Sequence, residues 1–422
     1  MISESIQKSV LPNGIRVLTM PMPHLYSVSM GIWVDAGARD EATDERGLSH
    51  FIEHMIFKGT RRRSAYQIAK EFDAIGGATN AFTSMENTCY YAKVMNGQLP
   101  TMVDILSDIF LNSVFDQQEM ERERPVIFQE ISMLEDSPDE LVHHLAGQNF
   151  WGDHPLGHPV IGTRENLIRF DSSKLKRFFH KLYQPERIVI SAAGMIDHPV
   201  FVDLLHPVFE MLTSTDELPQ REKPTNHFQI QVHPRDQEQV HLCLGSRGMA
   251  TSNPDRYTLS LLNTILGGNM SSRLFQEIRE KYGLAYSIYS FVNSFEDAGM
   301  FGVYAAVSPD HVVETVERIL TAIQKLKETP VSADELKSAK DYTKGALLLS
   351  AESNDNQMIR LAQQEIHFGR HIPMKEILSK IDAVSTRDLL ALSRRLFGDD
   401  PIALTTLGPI ADKSLFSDLM KQ

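Results

Sequence analysis

Two histidines and a glutamate lie close together early in the chain, in the run His50-Phe-Ile-Glu53-His54. If this run is helical, the histidines are about one turn apart on the same face and can bind one metal ion. Glu53 then lies about 60° around the helix from His50, so its carboxylate can approach the metal without ligating it. The pattern predicts zinc-dependent hydrolysis, because zinc lowers the pKa of a bound water to about 7 and a nearby carboxylate can accept the proton. The alternative is a surface helix with two solvated histidines.

A catalytic zinc needs a third protein ligand, commonly a histidine or a carboxylate. An acidic and amphipathic run, predicted as one long helix over residues 117 to about 145, offers several glutamates: Glu119, Glu121, Glu123, Glu130, Glu135 and Glu140. Spacing alone does not choose among them. Glu123 and Glu130 are about 20° apart in helical phase, so one could bind the metal while the other hydrogen-bonds a ligating histidine.

Composition limits the class of protein. A chain of 422 residues is long for one core, so two or more domains are expected. A net charge of −13 argues against nucleic acid as a partner. The two cysteines, Cys89 and Cys243, suggest no disulfide framework and read as small buried hydrophobes of a reducing compartment. The N-terminus lacks signal-peptide features and no apolar run approaches ~18 residues, so a cytoplasmic protein without a membrane partner is expected.

Helix and strand signals alternate along the first half. The Asn13-Gly14 pair between two apolar runs predicts a hairpin. Further strands are predicted at residues 27–34 and 187–193, and a pair of strands at 78–94. Helices are predicted at residues 47–58, 64–76 and 102–114, and a further helix ends at residue 182. The metal motif is thereby placed on a helix that follows a strand.

The second half repeats part of the first. The pattern Leu175-x6-Leu182-x7-Ile190-x3-Gly194 recurs 214 residues later as Leu389-x6-Leu396-x7-Leu404-x3-Gly408. This predicts an internal duplication, with domains at 1–213 and 227–422 joined by a polar, proline-containing linker at 214–226. The counterpart of the motif helix, at residues 256–266, has no histidine or glutamate at metal-facing positions. The second domain is therefore expected to lack metal ligands.

With Glu130 added, the motif resembles the pitrilysin/insulinase family of inverted-motif zinc peptidases, closest to the mitochondrial-processing-peptidase-like subunits and their bacterial relatives. In that family the distal glutamate precedes an Ile-x-Met-x-x-Asp stretch, and this chain has Glu130-Ile-Ser-Met-Leu-Glu-Asp136. The resemblance implies one zinc per chain with Glu130 as its third ligand. It also implies that Glu123 supports a ligating histidine and that Glu53 is the general base.

Three other stretches carry the same resemblance. The segment Gly76-Gly-Ala-Thr-Asn80-Ala81-Phe-Thr83 resembles the family's segment beside the metal, in which an edge strand holds extended peptide. This resemblance implies substrate binding by Asn80, Ala81 and Thr83. A second-half signature implies that Arg279 and Tyr286 approach the scissile bond. The loop His154-Pro-Leu-Gly157 also resembles the family and is assigned to packing.

The resemblance also implies an α+β fold of two homologous domains, each an antiparallel sheet packed with helices, around a closed chamber. Because this chain has one pair of domains, a homodimer is expected in which Arg279 and Tyr286 act in trans on the partner's zinc. The expected activity is that of an endopeptidase or oligopeptidase acting on peptides or precursor segments held as an edge strand.

Two other functions compete with this one. A scaffold or partner subunit would have lost metal ligands, whereas this chain keeps His50, Glu53, His54 and Glu130. The second alternative is a zinc hydrolase acting on other substrates, because a fold alone does not fix the substrate. The edge-strand mode of binding favours peptides.

Overall fold

The computed structural model describes residues 5–214, 218–398 and 401–421. The strands, numbered in chain order, are β1 Gln7–Val10, β2 Arg16–Pro21, β3 Ser27–Val34, β4 Ala78–Thr83, β5 Thr88–Met95, β6 Ile188–Gly194, β7 Ile230–Pro234, β8 Val240–Arg247, β9 Ala285–Ser294, β10 Gly299–Val307 and β11 Ala403–Gly408. The helices are α1 Leu48–Ile56, α2 Ala65–Ala74, α3 Leu99–Asn112, α4 Gln117–Asp136, α5 Pro138–Trp151, α6 Arg164–Ile168, α7 Ser172–Leu182, α8 His198–Phe209, α9 Arg256–Leu266, α10 Val312–Glu328, α11 Ala333–Ser350, α12 Asn354–Phe368, α13 Met374–Ala383, α14 Thr386–Leu396 and α15 Ser414–Ser417.

The chain forms two compact units, and each contains one segment from the other half of the sequence. The first comprises the described residues of Met1–Ser132, Pro159–Glu222 and Leu349–Pro373. The second comprises those of Met133–His158, Lys223–Leu348 and Met374–Gln422. The domain boundaries 1–213 and 227–422 therefore stay a prediction about the repeat along the sequence. Of the predicted linker, residues 215–217 lie outside the described residues, and 218–226 contains no helix or strand.

The first unit contains a six-stranded sheet in the order β1-β2-β6-β3-β5-β4. The predicted hairpin is confirmed, because β1 and β2 pair in antiparallel register on either side of the Asn13-Gly14 turn. β4 pairs only with β5 and forms one edge of the sheet. The predicted strand at 27–34 is confirmed as β3, between β5 and β6.

The second unit repeats this strand order with one strand fewer, as β7-β11-β8-β10-β9. The predicted repeat is visible in the helices, since α7 (Ser172–Leu182) and α14 (Thr386–Leu396) begin and end 214 residues apart. The α+β fold with two sheets packed by helices is confirmed. Each sheet also contains one parallel pair, β2 with β6 and β7 with β11, which the expectation of antiparallel sheets did not include. Helical crossovers separate these paired strands and permit parallel pairing.

Both faces of the first sheet are covered. One face packs against α1, α3, α7 and α8 in the main core. The other packs against α12, whose Met358, Leu361 and Ala362 contact Trp33 and Cys89 among other residues. Cys89 and Cys243 are buried free thiols, as predicted. Across the described residues, no helix combines the length and apolar character needed to cross a bilayer.

The prediction of one helix from residue 117 to about 145 is wrong. α4 ends at Asp136, and α5 begins at Pro138 after Ser137. Proline has no N–H to donate and disfavours helical geometry in the residue before it, so it starts a new helix here. α5 then packs on β8 and β11 of the second unit. The break separates the acidic helix, which carries Glu123 and Glu130, from a helix that packs in the second unit.

Candidate metal centre

The motif helix α1 is fixed by its apolar face. Leu48, Phe51, Ile52 and Met55 are almost fully buried in the core of the first unit. These positions recur every three to four residues, which is the period of a helix buried along one side. The opposite face carries the half-buried His50, Glu53 and His54. The apolar residues thus orient the polar face of α1 toward the site.

The N-terminus of α1 is held by two features. Gly47 has φ +98°, and a Cβ there would lie 2.9 Å from the Ile161 carbonyl oxygen, so a side chain would be strained and crowded. The buried Glu41 accepts hydrogen bonds from the backbone N–H groups of Gly47, at 2.8 Å, and Ser49, at 2.7 Å. A side-chain carboxyl group whose oxygens accept at a helix N-terminus satisfies donors that the helix leaves free. Glu41 therefore anchors the turn that begins the metal motif.

His50, His54 and Glu130 converge as predicted. Oε2 of Glu130 lies 3.6 Å from Nε2 of His50 and 3.4 Å from Nε2 of His54. One ligand atom from each residue lies within 4.8 Å of the others, and no further group of this kind occurs among the described residues. Two atoms that each lie ~2.0–2.1 Å from a tetrahedral zinc are ~3.3 Å apart. The two nitrogen–oxygen spacings fit a zinc ion bound by these residues.

A second carboxylate on α4 orients His54. Oε1 of Glu123 lies 2.9 Å from Nδ1 of His54, and Oε2 lies 2.5 Å from Nζ of Lys58. Burial alone would raise the pKa of Glu123, but the hydrogen bonds from His54 and Lys58 lower it below its ordinary value. The carboxylate is therefore ionised and holds Nδ1 of His54 as the protonated nitrogen. Nε2 of His54 is left to bind metal.

The two histidines have opposite pKa shifts. Burial, assisted by the neighbouring His54, lowers the pKa of His50 to about 3, so its imidazole is neutral and able to bind metal. Burial would also lower the pKa of His54, but the hydrogen bond to Glu123 and the nearby carboxylates raise it. A proton therefore competes with metal mainly at His54.

Glu53 lies beside the ligand set without belonging to it. Burial raises the pKa of Glu53, and hydrogen bonding from Thr83 acts in the opposite direction. The Thr83 hydroxyl donates to Oε2 of Glu53 at 2.5 Å. Thr83 ends β4, so the side chain of a residue predicted to bind substrate contacts Glu53.

The free edge of β4 presents main-chain groups. The backbone N–H of Ser84 donates to the Asn87 carbonyl, and hydrogen-bonded pairs alternate along an antiparallel ladder. Ala81 and Thr83 therefore direct their N–H and C=O groups away from β5. The Ala81 N–H is bonded instead to Oδ1 of Asn80, at 2.9 Å.

Arg279 and Tyr286 lie together in the second unit. The Arg279 guanidinium lies 4.9 Å from the centroid of the Tyr286 ring and 4.6 Å from that of Phe275. Tyr286, in β9, is 79% exposed. The two residues form a cation–π pair with an accessible phenol.

Sequence reasoning missed Glu41, Lys58 and the contact between Thr83 and Glu53. Lys58 lies four residues after His54, a spacing that places both on one side of a helix end. An acidic residue before a helix is the usual signal for a residue such as Glu41. The approach of Thr83 to Glu53 joins a strand and a helix 30 residues apart, and no local pattern indicates it.

Comparison with known families agrees with the site. The family model for insulinase (peptidase family M16) matches residues 16–164, and a model for the peptidase M16 inactive domain matches residues 169–342. The first match contains all the proposed metal ligands. The second covers much of the half in which no ligands were predicted.

Relatives match over nearly the whole chain. The uncharacterized zinc protease YmxG of Bacillus subtilis is 40% identical, over 96% of this chain and 98% of that protein. An uncharacterized zinc protease of Streptomyces coelicolor is 36% identical, over 97% and 91%. One of Mycobacterium leprae is 37% identical, over 97% and 93%.

Solved structures share the fold. A peptidase M16 inactive domain from Pseudomonas fluorescens has a TM-score of 0.90 at 19% identity, covering 96% of this chain and 99% of that one. A protease from Helicobacter pylori has a TM-score of 0.89 at 22% identity, covering 96% and 100%. The resemblance inferred from the motifs is confirmed, and the chain belongs to the insulinase family, peptidase family M16.

Proposed function

We propose that this protein is an endopeptidase or oligopeptidase in which His50, His54 and Glu130 bind zinc and Glu53 is the general base. The protein is a zinc metallopeptidase, as predicted, because its relatives of 36–40% identity are named zinc proteases and the chain belongs to their family. The convergence of the two Nε2 atoms on the Glu130 carboxylate is the observation that supports the residue roles.

The residues around the site have separate tasks. Zinc, when bound, polarises the peptide carbonyl and acidifies the attacking water. Glu53 accepts a proton from that water at a carboxylate oxygen and delivers it to the leaving amine. Glu123 and Lys58 keep His54 in the tautomer that leaves Nε2 available. Substitutions of the different groups should therefore affect different steps.

Peptide substrates suit the edge of β4. An extended peptide can add to an exposed edge as a further strand, with main-chain hydrogen bonds giving its register. Ala81 and the carbonyl of Thr83 offer such groups, whereas the Thr83 N–H is directed at Glu53. An incoming carbonyl would replace the Asn80 side chain at the Ala81 N–H. This mode favours peptides or unfolded precursor segments over non-peptide substrates of a zinc hydrolase. The retained ligand set disfavours a scaffold role.

The Arg279–Tyr286 pair supplies a donor for the developing oxyanion. In the proposed homodimer, the Tyr286 hydroxyl of one copy would donate a hydrogen bond to the carbonyl oxygen of the peptide cleaved at its partner's site, with Arg279 assisting within a closed chamber. The exposed ring and the adjacent guanidinium support this role. Location in the cytoplasm and a lack of nucleic-acid or membrane partners stay predictions from the sequence.

Cleavage of a diverse peptide library, read by mass spectrometry, tests the proposal. We expect internal cuts that disappear with chelator and return with zinc. The Glu53→Gln variant should lose at least ~10²-fold in rate and keep its zinc, whereas Glu121→Gln, at an exposed position on α4, should cut normally. Chelator-resistant cutting, or full activity of Glu53→Gln, would overturn the assignment.

A further inference from the structure

The general base and the substrate edge are joined by one side chain. Thr83 is the last residue of β4, and its hydroxyl donates to Oε2 of Glu53. No other hydrogen bond from a side chain to the Glu53 carboxylate occurs among the described residues. Thr83 therefore fixes one carboxylate oxygen and leaves the other without a side-chain partner.

We propose that Thr83 is a positioning residue: its hydroxyl orients the Glu53 carboxylate toward the water of the zinc site, from the strand that receives the peptide. The inference rests on the proposed function and refines it. A glutamate on a helix has three rotatable side-chain bonds, so a carboxylate held only by packing samples several orientations. One hydrogen bond to a rigid strand restricts that choice.

The strand is suited to this task. Side chains alternate along β4, so Thr79, Ala81 and Thr83 share one face. Ala81 packs against the core that contains α1. The hydroxyl of Thr83 therefore projects toward α1, while its main chain faces the free edge. Peptide paired to that edge would lie against the residue that holds the base.

The matched control is on the same strand. Thr79 has the same side chain on the same face, but its hydroxyl donates to the Tyr91 carbonyl at 3.1 Å and does not contact Glu53. Valine has the shape of threonine without the donor. Thr83→Val and Thr79→Val therefore remove equal groups, of which only one touches the base.

The test measures kcat, KM and zinc content on one peptide identified in the library. Thr83→Val should lower kcat about 10- to 100-fold, because a small misplacement of a catalytic group costs this much. KM should change less than about twofold and zinc should remain stoichiometric, since neither substrate contacts nor ligands are removed. Thr83→Ser, which keeps the hydroxyl, should restore most of kcat, and Thr79→Val should match the wild type.

A second measurement separates positioning from a structural defect. In the Glu53→Gln background, Thr83→Val should cause no further loss, because its effect passes through the carboxylate. Additive losses, a normal kcat in Thr83→Val, or a Thr83→Ser variant as slow as Thr83→Val would overturn the inference. If Thr83→Val does not fold, Thr83→Ala is compared with Thr83→Ser in its place. If the wild type itself cuts no peptide with zinc, the proposed function fails, and the role of Thr83 fails with it.

Discussion

Nδ1 of His54 lies 2.9 Å from Oε1 of Glu123, while Nε2 of the same ring lies 3.4 Å from Oε2 of Glu130. The two carboxylates are two turns apart on α4, so side chains of one helix contact both nitrogens of one imidazole. Glu123 is buried, whereas the Glu130 side chain is 38% exposed. The burial difference suits a supporting residue and a ligand that must remain open to a water and substrate.

Glu123→Ala should weaken zinc binding by about 10- to 100-fold, the usual cost of removing a partner of a ligating histidine. The His54 ring would lose the acceptor that fixes its tautomer, and Lys58 would lose its carboxylate. Competition with a chromogenic chelator measures the affinity. Glu121→Ala, at an exposed position of the same helix, is the control and should bind as the wild type. Equal affinities for the two variants would contradict the role of Glu123.

Glu130→Ala should lose metal, because two imidazoles alone leave zinc without its third protein ligand. Elemental analysis after dialysis should find well below one zinc per chain. Glu53→Gln serves as the comparison and should retain one zinc, since Glu53 does not ligate. A stoichiometric zinc content in Glu130→Ala would show that another group completes the site.

Glu41 should make the metal-free protein less stable as the pH rises. Burial raises the pKa of Glu41 to about 8, although the N–H groups of Ser49 and Gly47 act against the shift. The folded state therefore keeps a proton that the unfolded state releases above its ordinary pKa of about 4.5. The contribution of Glu41 to the free energy of unfolding is complete below pH 4.5. It is lost between pH 4.5 and about 8, at up to ~1.4 kcal/mol per pH unit.

Urea unfolding of wild type and Glu41→Gln, both in chelator, measures this effect. The glutamine does not titrate, so the difference between the two free energies of unfolding should change with pH in that window. A chelator is needed because zinc binding is itself pH-dependent. A constant difference from pH 5 to pH 8 would assign Glu41 an ordinary pKa.

The part of the site that lies on a single helix could be predicted from the spacing of its residues. His50, Glu53 and His54 could be placed because a helix fixes the relative directions of residues three and four apart. Spacing left the third ligand open among several glutamates and only placed Glu123 and Glu130 on one face of the helix. The family resemblance was needed to choose Glu130. The contact between Thr83 and Glu53 depends on how β4 packs against α1, and sequence spacing does not encode that packing.

The exchange of segments between the units also escaped prediction. Repeat matching compares stretches of sequence, and it says nothing about which sheet a helix covers. α5 follows directly from α4 in the sequence, yet α5 packs in the second unit, and α12 packs on the first sheet. The apolar face of each helix is readable from the sequence, but its partner is set by the tertiary fold.

A mixture of two impaired variants tests whether the second copy completes the site. Tyr286→Phe should lower kcat about 10²–10³-fold, as loss of an oxyanion donor does, and Glu53→Gln should lower it at least ~10²-fold. If Tyr286 acts in trans, a mixed dimer contains one site with both residues intact. About half of the dimers in an equal mixture are mixed, and each of these has one working site out of two. The mixture should therefore recover about a quarter of wild-type activity. Exchange is followed by native mass spectrometry with one chain isotopically labelled, and two differently labelled batches of Glu53→Gln serve as the control. Confirmed mixed dimers without recovered activity would place Tyr286 in cis or outside the reaction.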